Sequence, residues 1–186
     1  IIKLTDAIVR ENFNLPDGSD VFISEGESLN VAANVNANNA SVKGINLNVA
    51  YKPIEALNLL GSISITEGVI NNVDGSESPL GHIPPVFGKI KANYTLSKTT
   101  QQIGLIFNLK KPIEDFGGSV DNPELATTEG SLGCYTLNYY SSYQLSDRID
   151  FDLAFENILD LHYRPFSSGI SAPGRNIIFT VRAKLF

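Results

Sequence analysis

Apolar and polar residues alternate one by one through most of this chain, the period of a strand with one face in each of two environments. The cleanest stretch is Ile149, Phe151, Leu153 and Phe155, interleaved with Asp150, Asp152, Ala154 and Glu156. The last residues repeat it, with Ile177, Phe179, Val181, Ala183 and Leu185 on one parity, Asn176, Thr180, Arg182 and Lys184 between them, and Phe186 at the end. Leu29 to Tyr51 hold one parity over a long distance, and read as a single strand whose membrane part is Ile45, Leu47, Val49 and Tyr51. Further strands are predicted at Leu57 to Ile65, Val86 to Leu96, Ile103 to Leu109 and Tyr135 to Leu145, and a weaker one at Ile2 to Glu11.

The connections alternate in length as strictly as the residues alternate in polarity. Those near residues 53, 98 and 147 are short, whereas those at 12–28, 67–85, 111–131 and 158–175 are several times longer. An outer-membrane barrel has this asymmetry, with short periplasmic turns and long extracellular loops. A Greek-key sandwich has no reason to segregate loop length by end. The short-turn edge then collects Tyr51, Tyr94, Tyr143 and Phe186, the arrangement expected of an aromatic girdle with rings at the acyl boundary and hydroxyls in water.

Composition narrows the class. Mean hydropathy is zero with 42% hydrophobic residues, and no run approaches the ~18 apolar residues of a spanning helix. Lipid contact therefore has to come from strands. The 15 glycines and 9 prolines fall mostly between the alternating segments, where turns are needed. A net charge of −6 argues against a nucleic-acid partner, and the single Cys134 excludes an internal disulfide and reads as a small apolar residue. The chain starts at Ile1 and holds no Met, which reads as a processed, cropped or partial chain.

Four segments, in order, carry a resemblance: Asn36 to Leu47 (NANNASVKGINL), Pro79 to Lys89 (PLGHIPPVFGK), Glu156 to Arg164 (ENILDLHYR) and Pro173 to Asn176 (PGRN), closed by the terminal aromatic. Together they resemble the C-terminal barrel of TonB-dependent outer-membrane receptors over essentially the whole chain. The resemblance implies an all-β, antiparallel transmembrane barrel in which residues 1–186 supply the last eight of roughly 22 strands, with the lumen closed by an N-terminal plug lying outside this sequence. It further implies energy-coupled uptake across the outer membrane of a Gram-negative bacterium. The solute would be scarce and large, such as an iron-siderophore, haem or a cobalamin-like compound. The implied partners are outer-membrane lipid, the plug and earlier strands, the inner-membrane TonB complex, the barrel-assembly machinery and a small-molecule ligand. The final strand departs from the family pattern, because Leu185 holds the lipid parity and Phe186 lies one residue beyond it.

No nucleophile with an adjacent base can be assembled, so no enzyme and no cofactor are expected. Histidines His82 and His162 lie in long loops; a ligating role competes with plain solvent exposure. Phe116, Tyr163 and Phe166, with Ile113 and Ile170, are placed by loop position as apolar contacts to a ligand at the mouth. Arg175 is expected to anchor the entry to the last strand. Asp150, Asp152 and Glu156 share one face of a strand, and lumenal pairing is the reading preferred to a metal site. The loop carboxylates, among them Asp17, Asp20, Glu67, Asp74, Asp115 and Asp121, are expected to be solvated. Two other architectures remain open: a complete eight-stranded pore or adhesin without energy coupling, whose interior side chains can fill, and a secreted soluble sandwich.

Overall fold

The structure is a computed structural model and describes residues 1–6, 8–36, 39–72 and 75–185. The first hairpin is built from β1 (Ile2–Thr5), β2 (Ile8–Asn12), β3 (Val21–Ser24), β4 (Glu27–Asn30), β5 (Ala32–Asn36) and β6 (Asn39–Ile54). The next pair is β7 (Leu57–Asn71) with the short β8 (Glu77–Pro79) alongside, followed by β9 (Phe87–Leu96) and β10 (Thr99–Asn108). A long loop then carries β11 (Lys111–Pro112), 3-10 turns at Ile113–Asp115, Gly118–Asp121 and Pro123–Leu125, and β12 (Gly130–Ser131). The chain finishes with β13 (Cys134–Ser146), β14 (Ile149–Glu156) and β15 (Asn176–Ala183).

Eight of these strands form one antiparallel path, β1-β6-β7-β9-β10-β13-β14-β15, with β8 added beside β7. Two-residue turns at 55–56, 97–98 and 147–148 lie at one end, and all the long connections at the other. Register brings the alternate residues of each strand onto common faces. Leu47 pairs with Ile63, Ile63 with Gly88, Gly88 with Phe107 and Phe107 with Tyr135; Leu153 pairs with Phe179. The opposite face is polar, for instance Asn46 with Ser64, Gly104 with Asn138 and Asp152 with Thr180. Ser64 donates to Asn46 Oδ1 at 2.5 Å on that face.

The sheet is a single layer. Among the described residues Ala40, Ile70 and Phe116 are the buried hydrophobic ones, whereas more than a dozen large apolar side chains of the outer face are exposed, Ile45 at 69% and Phe179 at 65% among them. Burying one such side chain is worth about 1.5–3 kcal/mol, and a domain's whole net stability is about 5–15 kcal/mol, so this face cannot be left in water. A sandwich would cover it with a second sheet, and none is present among the described residues. The polar face carries hollows of about 310 and 360 Å³.

Two sequence expectations change. Leu29 to Tyr51 is not one strand: β4 ends at Asn30, Val31 hydrogen-bonds to Asp20 instead, and only β6 belongs to the main sheet, Ala37 lying outside the described residues. β4 pairs with β3 across a turn at Glu25 and Gly26, whose φ values of 51° and 87° suit a tight hairpin; the same parity continued on both sides hid this break. Likewise Ile2 to Glu11 splits into β1, paired with β6, and β2, paired with β5, with Asp6 at φ 54° between them. Both pairs share one register, so this long hairpin runs well past the sheet on the loop side.

Candidate functional site: the loop-side mouth and the polar inner face

At the long-loop end, three connections lock together around a buried carboxylate. The loops after β7 and β10 cross where Gly81 meets Gly117: a Cβ on Gly117 would lie 2.6 Å from the Leu80 carbonyl carbon. Only glycine permits that backbone approach. Asp121 beside the crossing is fully buried. Its Oδ1 accepts the His82 N–H at 2.6 Å, its Oδ2 accepts the Gly117 N–H at 2.8 Å, and Lys111 Nζ lies 3.5 Å from Oδ2. Lys111 is itself buried and donates to the Ile83 carbonyl at 2.5 Å. The last long loop joins through Phe166, whose ring packs edge-on against Phe116 at 5.3 Å and under Lys111 Nζ at 4.5 Å. Asn122 reaches the same loop by donating to Ser167 Oγ at 3.0 Å, and Arg164 Nη1 donates to the Leu125 carbonyl at 3.0 Å.

This hub redistributes the residues singled out from sequence. Phe116 is 7% exposed, so its ring mainly packs the loops together rather than facing outward. His82 contributes its backbone N–H to the hub, with its imidazole exposed and Nδ1 4.0 Å from Asp121 Oδ1. His162 Nε2 lies 3.1 Å from Ser171 Oγ. Tyr163 lines a hollow of about 410 Å³ between the third and fourth long loops, with Cys134, Thr127, His162 and Arg164. Burial, and secondarily the nearby Cys134 thiol, push the Tyr163 phenol above its usual range. A second hollow of about 620 Å³ lies between the first hairpin and the crossing loops, lined by Ile8, Arg10, Asn34, His82 and Val120. Asp121 was expected to be solvated; it is the most enclosed side chain of the loops, because the Gly117 crossing folds the chain around it. Nothing in the local sequence separates it from the neighbouring carboxylates that do face water. Glu129 is one of those, exposed and paired at 2.6 Å with Lys110, whose ammonium holds its carboxyl below the usual range.

The last connection is pinned by polar side chains. Asn157, buried at φ 45°, donates its N–H to Asn138 Oδ1 at 2.9 Å and its amide to the Leu161 and Pro173 carbonyls, and accepts the Leu161 N–H at 3.0 Å. Arg175 gives its N–H to Asp160 Oδ1 at 2.8 Å and its Nε to the Ile158 carbonyl at 3.0 Å. Asn157 and Asp160 at one end of the loop and Arg175 at the other thus form one clamp.

On the inner face, Arg182 Nη2 lies 2.7 Å from Asp152 Oδ2, an ion pair without hydrogen-bond alignment, and the Tyr140 hydroxyl donates to Glu156 at 3.1 Å. Among the described residues no group of three or more His, Cys, Asp or Glu stands close enough to hold a metal. Lys89 and Lys91 occupy the same face with no hydrogen bond or ion pair among the described residues. Tyr51, Tyr94 and Tyr143 lie on the outer face toward the short turns, all exposed; Phe186 is outside the described residues.

Register relates those three tyrosines. Tyr51 pairs with Leu59 and Leu59 with Ala92, and Tyr94 lies two residues beyond Ala92 toward the turns. Tyr94 pairs with Gln101 and Gln101 with Ser141, and Tyr143 lies two residues beyond Ser141. The line through the tyrosines therefore advances one residue per strand. With ~3.3 Å per residue and ~4.8 Å between strands, it is level in a membrane if the strands tilt by about 35°, within the range of membrane barrels.

No family model matches the chain, and no curated protein sequence does. Solved structures do. The copper transporter OprC superposes with a TM-score of 0.72 at 16% identity over 97% of this chain and 26% of its own. The FrpB iron transporter from Neisseria meningitidis (F3-3 variant) gives 0.65 at 14% identity over 97% and 26%, and the siderophore receptor PiuA from Acinetobacter baumannii 0.60 at 17% over 83% and 23%. The chain spans about a quarter of the length of these structures. The fold it shares with the matched part of these structures is all-β and antiparallel.

Proposed function

We propose that this chain is the C-terminal barrel wall and loop mouth of an outer-membrane receptor in a Gram-negative bacterium, which takes up a scarce, large solute with energy supplied through TonB. The observation that carries the reading is a single-layer sheet with one apolar face, one polar face and, among the described residues, two unpaired edges, β1 and β15, superposing on proteins described as copper and iron transporters and a siderophore receptor. An open sheet edge has no hydrogen-bond partner in lipid, so a membrane sheet of this kind needs further strands to close it. Those strands and a lumen-filling N-terminal plug are the rest of the receptor. Two of the hollows at the mouth are where the solute first meets this part of the wall, with Tyr163 and His162 lining one and His82 the other. An iron-siderophore heads the solute classes, followed by other iron or copper complexes, haem and cobalamin-like compounds.

The test is uptake by the whole receptor. Cells carrying it should accumulate one labelled iron or copper chelate against a gradient, and lose that accumulation when a protonophore is added or TonB is removed. Entry that continues unchanged after both treatments would identify a passive pore instead.

A further inference from the structure

The mouth sorts its charges. The chain carries 20 Asp and Glu against 14 Lys and Arg, and the first three long connections hold three or more carboxylates each. Yet the hollow beside the first hairpin is lined by Arg10 and His82, the hollow beside the last loop by Arg164 and His162, and neither by a carboxylate among the described residues. Glu67, Glu77 and Asp115 line a separate hollow of about 450 Å³ beside β7. Salt screens the other loop carboxylates beyond ~8 Å, so a solute in either of the first two hollows meets the charge of its own lining.

The larger of the two, about 620 Å³, shows how that lining is set. Arg10 stands opposite Asn34 on the first hairpin, exposed and without a hydrogen bond or ion pair among the described residues. His82 comes from the other wall, the loop after β7, at φ 62°, a left-handed conformation that few non-glycine residues adopt. Its N–H is tied to Asp121, which fixes that backbone and leaves the imidazole exposed beside the hollow. Asp121 Oδ1 lies 4.0 Å from His82 Nδ1, but it is fully buried and its charge is met by Lys111, so it adds no negative surface. Ile8, Leu80 and Val120 supply apolar lining.

We infer that this hollow selects an anionic metal chelate, whose carboxylate or catecholate oxygens are taken by the Arg10 guanidinium with the His82 imidazole and the Asn34 amide as further donors. The inference deepens the receptor reading and rests on it. A guanidinium presents a planar fork of N–H donors that matches a pair of anionic oxygens, and bonds of this kind are the strong ones. A neutral chelate gains little from an unpaired arginine, and a cationic one is repelled by it. The apolar lining accepts the body of the ligand while the few polar groups orient it.

The test is binding of iron-labelled probes to the full-length receptor in outer membranes of cells lacking TonB, so that binding is read without transport. Ferric citrate and a ferric tris-catecholate are the anionic probes, and ferrioxamine B is the cationic trihydroxamate. At least one anionic probe should bind, with ferrioxamine B unable to displace it. Arg10→Gln should weaken that binding about tenfold or more, the worth of a charge-assisted hydrogen bond. Arg10→Lys should recover part of the loss, and His82→Asn, which tolerates the same backbone, should weaken binding less. Binding of ferrioxamine B alone, of none of the three probes, or of an anionic probe with equal affinity for the wild type and Arg10→Gln would overturn the inference. Uptake in cells with TonB separates the two readings. Chelate accumulation that needs TonB but ignores Arg10→Gln would sink this inference alone, whereas no TonB-dependent accumulation of any chelate would sink the receptor reading and this one with it.

Discussion

Asp121 carries more of the mouth than any other single residue. Its carboxylate is fully buried, receives two backbone N–H groups and faces the buried Lys111 ammonium at 3.5 Å. Removing one partner of such a pair leaves the other charge buried and unpaired, which costs about 3–5 kcal/mol. Asp121→Ala is expected to loosen the loops locally, without unfolding the sheet. Amide exchange at residues 80–83 and 111–121 should accelerate at least 100-fold, and the β6 and β7 amides should keep their rates. Unchanged exchange across the loops would show that the aromatic contact of Phe116 with Phe166 and the glycine crossing hold the mouth without the carboxylate. The same residue shows a limit of sequence reading. A loop Asp between Val120 and Asn122 has the composition of a solvated turn, and its burial comes from a backbone approach to a segment about 40 residues away.

At the scale of the strand, parity makes the strongest claim. Val181 and Leu153 lie on the apolar outer face, in rows that register ties to Phe151 and Phe179. Val181→Arg and Leu153→Arg are each expected to cost about 2–4 kcal/mol near the membrane midplane. Gln102→Lys on the opposite face should be close to neutral. The measurement is the yield of heat-modifiable, membrane-assembled receptor for each variant; full assembly of both arginine variants would reverse the assignment of faces. β13 adds a length to the argument. Its outer face begins at Tyr135 and reaches Tyr143 eight residues later, both exposed. That separation is about 26 Å along the strand and about 22 Å along the normal at 35° tilt, close to the ~25 Å apolar band of outer-membrane barrels.

At the scale of the molecule, the unpaired edges decide what the chain can be alone. A closed eight-stranded barrel would pair β1 with β15, whereas here each has one neighbour, and β1 is only four residues long. Residues 1–186 refolded into detergent are therefore expected to give oligomers through the β15 edge, with no heat-modifiable monomer on gels. A monodisperse, heat-modifiable monomer would restore the small-barrel reading.

The sequence by itself determined which residues lie on the apolar face of the sheet and which on the polar face, because side chains alternate along a strand. It also determined which end of the sheet carries the loops, since short and long connections alternate along the chain. The clamp was half legible: Arg175 stood out beside the last strand, and Asn157 and Asp160 within the Glu156 to Arg164 segment, while the contacts of all three form only when the loop returns. What tertiary structure decided is whatever depends on contacts between distant segments. The breaks at Val31 and Asp6 follow from which strand pairs with which, and parity cannot report that. The buried ion pair of Lys111 with Asp121 and the enclosure of Phe116 both depend on a neighbour's position, and a charge or an aromatic ring carries no mark of its neighbour in its own stretch of chain.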